Sequence, residues 1–85
     1  MRRSSQYEGL IRDLSKLLKS CENVSFANDD AVLTRILDLL SLESNWTKIY
    51  GLIYTTEVTT YGGHMIESEV ERIHHEIITW WEARL

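Results

Sequence analysis

Ile66, Val70, Ile73, Ile77 and Trp80 recur at alternating steps of four and three, with Ile78, Trp81 and Leu85 in a second row beside them. Both rows fall on one broad face of a helix, while Glu67, Glu69, Glu71, Arg72, Glu76, Glu82 and Arg84 fall on the other. So wide an apolar stripe has to be covered, and the stretch from His64 to Leu85 therefore demands matching apolar faces from the rest of the chain.

The preceding residues supply them. Ser5 and Glu8 have the spacing of a capping box, and Leu10, Ile11, Leu14, Leu17, Leu18 and Cys21 then repeat at three and four, which predicts a helix over 5–20. Glu22 to Ser25 break that period, with Phe26 as an apolar anchor at the end of the loop. Asn28 is a suitable N-cap, Asp29 and Asp30 place negative charge on the first turn, and Val32, Leu33, Ile36, Leu37, Leu39 and Leu40 mark a central helix over 29–41. A turn of about four residues fits an antiparallel neighbour.

In the third segment period and propensity disagree. Trp46, Ile49, Tyr50 and Ile53 fit a helix over 46–55 capped by Ser44 or Asn45, yet Ile53 to Tyr61 is rich in Thr, Val and Tyr, which prefer strands. The expectation is a helix fraying into a loop after Thr55, because a lone strand has no partner elsewhere; a short hairpin within 49–61 is the alternative. Gly62 and Gly63 punctuate the chain before the final helix over 66–84, which starts near Met65 or uses Ser68 and Glu71 as a second capping box. The chain reads as one all-α domain over 1–85, a small antiparallel bundle of three to four helices without proline or internal repeat.

Composition narrows the class. Eighty-five residues support one core, and a 44% hydrophobic content is too high for intrinsic disorder. The lone Cys21 rules out an intramolecular disulfide and points to a reducing, cytoplasmic setting, with the thiol read as a small buried hydrophobe. Polar Ser4 to Glu8 follow Arg2 and Arg3 where a signal peptide needs an apolar run, and no run approaches the roughly 20 residues that span a bilayer.

Catalytic and metal chemistry lack a motif. Glu71 and His74 have the Glu-x-x-His spacing of di-iron bundles but no second copy, and Thr79 stands where a zinc protease following His75-Glu76 needs its second histidine. Gly62-Gly63 lacks the surroundings of a phosphate loop. No cofactor, metal or enzymatic activity is expected. Nucleic-acid binding has Arg2, Arg3, Arg12, Lys16 and Lys19 in its favour, but a helix-turn-helix around Ser41 to Asn45 would present only Lys48, flanked by Glu43 and Glu57, to phosphate.

The net charge of −4 is unevenly spread: Ser20 to Glu71 hold nine acids against Arg35 and Lys48. Such a surface is suited to a basic protein partner, with Asp29, Asp30, Asp38, Glu43 and Glu57 as candidate acids and Trp46, Tyr50, Tyr54 and Tyr61 as candidate anchors. The alternatives are that the acids decorate solvated faces and that the aromatics fill the core.

Leu52-Ile53-Tyr54 follows two amphipathic helices and precedes a fourth. In this layout the chain resembles the small acidic immunity proteins that protect bacteria from nuclease toxins. The bacteriocin DNase members are four-helix domains of similar length whose short third helix carries Leu-Ile-Tyr-Tyr-Pro. Thr55 and Thr56 stand where that family has its second tyrosine and its proline, so Tyr54 alone carries over as a toxin contact. The resemblance is to the class, immunity proteins of contact-dependent inhibition systems included. It implies a non-catalytic partner of a basic nuclease toxin that covers the toxin's active site. The competing expectation is a self-associating helical adaptor, a homodimer joined through Trp80, Trp81 and Leu85.

Overall fold

In a computed structural model the chain forms four helices: α1 (Arg3–Lys19), α2 (Asp30–Leu40), α3 (Trp46–Tyr61) and α4 (Glu67–Glu82). The structure describes residues 3–21, 24–42, 46–61 and 67–84, with side chains at 8–21, 24–42, 46–57 and 67–84. No strand occurs among them. The Cα radius of gyration is 12.1 Å, matching the roughly 12 Å of a folded chain of this length.

Val70, Ile73 and Ile77 on α4 are fully buried, as their spacing requires. They join one core with Leu14 and Leu18 of α1, Phe26 and Ala27, Leu33, Ile36, Leu37 and Leu40 of α2, and Ile49 and Ile53 of α3. Each buried Leu or Ile contributes on the order of 1.5–3 kcal/mol of transfer free energy, which makes this cluster the main source of stability. The second row of α4 is less committed: Ile78, Trp80 and Trp81 are half-buried against the core, and Ile66 and Leu85 lie outside the described residues.

Successive helices pack on one another, and α4 returns to α1. Helix α3 runs antiparallel to α2, since Trp46 at its start donates from Nε1 to the carbonyl of Leu40 at 3.0 Å, while Glu57 near its end reaches Ser25 just before α2. The Trp46 bond also satisfies one of the carbonyls that the last turn of α2 leaves without an intrahelical donor.

The helix ends differ in detail from expectation. Helix α1 starts at Arg3, so Ser5 lies inside its first turn and is not the N-cap. The N-cap of α2 is Asp29, one residue after Asn28: its carboxylate accepts from the Val32 N–H at 3.4 Å, and its backbone is extended at φ −91° and ψ 96°. Burial of Phe26 and the turn closed by Asp29 N–H on the Phe26 carbonyl at 3.0 Å put the extended residue there. Helix α4 starts at Glu67, which places the exposed Ser68 within the helix. Cys21 is half-buried rather than core, its Sγ donating to the Leu17 carbonyl at 3.5 Å.

The largest difference is in α3. It does not fray after Thr55 but continues helical to Tyr61, and the hairpin alternative is excluded. Six of the nine residues from Ile53 to Tyr61 are β-branched, each costing up to about 0.7 kcal/mol in a helix relative to alanine. Tertiary contacts override that preference: Ile49, Ile53, Thr56 and Glu57 follow one another at steps of four, three and one, and all four are buried. They form the inner face of a helix, which an alternating strand cannot reproduce.

Candidate interaction surface

Two helices begin at the same end of the bundle. The Glu57–Ser25 contact sets the start of α2 beside the end of α3, and the phenol of Tyr50 on α3 lies within electrostatic reach of Glu67 and Glu71 on the first turns of α4. Acids are favoured at helix starts, where the backbone dipole is positive. Asp29 and Asp30 thus stand at the start of α2, which Ser25 ties to the last turns of α3, while Glu67 and Glu71 stand on the first turns of α4, within reach of Tyr50. Asp30, Glu67 and Glu71 are exposed, and Asp29 is half-buried at its cap.

Two tyrosines of α3 lie on the side of the α4 carboxylates. Tyr54 is 45% exposed, unusual for so large an apolar body, whereas Tyr50 is half-buried with its ring edge-on to His74 at a centroid distance of 6.2 Å and 71° between planes. Partial burial, followed by the charges of Glu67 and Glu71 and by Tyr54, pushes the Tyr50 phenol above its ordinary value of 10.0. His74 is itself fixed: its Nε2 lies 2.9 Å from the Trp46 carbonyl, and because a carbonyl only accepts, that nitrogen carries the proton in the bond.

The residues singled out from the sequence divide into groups. Asp29 and Asp30 lie at the start of α2, and Tyr50 and Tyr54 lie along α3 on the side of Glu67 and Glu71. Asp38 and Trp46 stand apart from these: Asp38 lies eight residues beyond Asp30, about 12 Å along the helix, and Trp46 is half-buried at the start of α3. Glu57 is turned inward, 3% exposed, with Oε2 accepting from the Ser25 N–H at 3.1 Å and Oε1 from the Ser25 hydroxyl at 3.2 Å. Its carboxylate is engaged within the fold. Glu43 and the side chain of Tyr61 lie outside the described residues. Glu67 and Glu71, visible in the sequence only as part of the polar face of the last helix, are the additions that the antiparallel packing of α3 on α4 makes.

The remaining chemistry is sparse. Among the described residues no group of three His, Cys, Asp or Glu side chains could hold a metal ion, and no buried side-chain nitrogen or oxygen lacks a partner. His75 is exposed, its Nε2 3.5 Å from the Thr79 hydroxyl, on a different face from His74. Arg12, Lys16 and Lys19 are exposed on α1, and Lys48 on α3. No helix among the described residues is long and apolar enough to cross a membrane. Neither a protein-family model, nor a curated protein, nor a solved structure matches the chain.

Proposed function

We propose that this protein is a non-enzymatic, cytoplasmic immunity protein that binds a cognate nuclease toxin and covers its basic active site. The observation that carries this reading is the exposed Tyr54 one turn beyond Tyr50, whose phenol lies within electrostatic reach of Tyr54 and of the exposed Glu67 and Glu71. A nuclease has to present Lys and Arg to phosphate, so a surface of this kind is attracted to the same groups, speeds encounter and excludes nucleic acid. Tyrosine adds a large, rigid contact with a hydroxyl at its tip, the type of side chain that anchors protein interfaces. Asp29 and Tyr50 support the surface from behind, one by capping α2 and the other by packing against His74.

The test is titration of the purified protein into a nuclease encoded beside its gene, following both heat of binding and cleavage of nucleic acid. Stoichiometric binding with loss of cleavage is expected; a nuclease that neither binds nor loses activity contradicts the proposal. Self-association is the competing reading, favoured by the half-buried Ile78, Trp80 and Trp81 on α4. Against it, Arg84 lies over the Trp80 ring at 4.8 Å while donating to Asp13 at 3.0 Å, which covers part of that row within a single chain. Sedimentation distinguishes a homodimer from a monomer with a free acidic end.

A further inference from the structure

We infer that the Glu57–Ser25 pair is a latch that makes the last turns of α3 conditional on the loop before α2, so that the two segments open and close together as one local unit. The residues around Glu57 have little reason to be helical on their own. Thr55, Thr56, Val58, Thr59 and Thr60 are all β-branched, and the last turn of α3 carries no basic side chain to complement the negative end of the helix dipole. Glu57 places a negative charge near that same end, which disfavours the helix unless the charge is compensated elsewhere. Compensation comes from Ser25, 32 residues away, whose N–H and hydroxyl bind the two carboxylate oxygens at 3.1 and 3.2 Å with the carboxylate removed from solvent.

The dependence runs in both directions. Ser25 sits between the half-buried Val24 and the fully buried Phe26 in a segment without helical hydrogen bonds of its own, so its attachment to α3 fixes how Phe26 enters the core. If the latch opens, Glu57 gains water and the loop loses both Ser25 bonds to α3, while Leu33, Ile36 and Leu37 retain their packing on the core. Tyr54 lies one turn before Glu57, at the hinge of the unit, so latch opening alters the presentation of that side chain. The inference does not require the proposed partner.

Native-state hydrogen exchange on the full chain tests it, comparing amides of Val58 to Tyr61 and of Phe26 with those of Leu33 to Leu37 in Glu57→Gln and Ser25→Ala. In Glu57→Gln the first group should exchange roughly tenfold to a hundredfold faster, the equivalent of losing one charge-assisted hydrogen bond, with a much smaller change in α2. Ser25→Ala, an exposed position that keeps its backbone N–H, should remain folded and show the same pattern at smaller amplitude. Ser25→Asp, which sets like charge against Glu57, should exceed Ser25→Ala. Unchanged exchange at Val58 to Tyr61, or equal acceleration in α2, overturns the latch, and Ser25→Ala decides the matter if Glu57→Gln does not fold.

Discussion

The rings of Tyr50 and His74 meet edge to face across the α3–α4 interface, 6.2 Å between centroids. Tyr50 lies within electrostatic reach of Glu67 and Glu71, and its phenol is raised first by partial burial and then by those charges. A raised phenol means that the folded state holds the proton more firmly than the unfolded chain does. The associated stability is fully present below the unfolded value near 10.0 and is lost as pH rises through the higher folded value. In tyrosine-labelled protein followed by NMR, Tyr50 should ionise later in the folded state than in urea. Glu67→Gln with Glu71→Gln should move it back down, and no movement would show that these carboxylates do not face the phenol.

Ile73 and Ile77 lie one turn apart at the centre of the core, both fully buried. Ile73→Ala and Ile77→Ala should each lower the unfolding free energy by about 2–5 kcal/mol in urea titration. A loss of a few tenths would place these side chains at the surface, against the packing described.

Gly9 and Gly51 occupy exposed helical positions where an added Cβ meets no atom within 4 Å. Alanine at either site removes backbone freedom from the unfolded chain without a clash, so Gly9→Ala and Gly51→Ala should each stabilise by about 0.5–1 kcal/mol. Thermal unfolding checks both. Gly51→Ala also reads out the continuity of α3, because a non-helical Gly51 would not reward alanine.

Much of this architecture is legible in the chain alone, because the spacing of Leu14, Leu18, Leu33, Ile36, Leu37, Ile73 and Ile77 states which faces are buried irrespective of what buries them. Helix ends are less legible. Asn28 and Asp29 are equally good caps by residue type, and the choice between them depends on where Phe26 pins the loop. The end of α3 was hidden for a related reason: Ile53 to Tyr61 has strand propensity, and only contacts from distant segments, such as Ser25 to Glu57, make it helical. The candidate surface shows the same division. Tyr54 and Asp30 could be named from residue type, but Glu57 carries no sequence mark of its inward orientation, and Glu67 and Glu71 join the tyrosines only because α4 folds back along α3.

The central claim, that the acidic and aromatic end of the bundle docks on a basic nuclease, is tested most directly by stopped-flow association with that nuclease across a salt series. Association of the unaltered protein should slow as salt rises, since screening shortens electrostatic steering to roughly 8 Å at physiological ionic strength. Glu67→Lys with Glu71→Lys should slow it further and flatten its salt dependence, and Tyr54→Ala should act mainly by speeding dissociation. Glu82→Lys, an exposed change at the far end of α4, provides the control. Inhibition that survives both the double charge reversal and the loss of Tyr54 undiminished, in variants shown to be folded, would contradict the account.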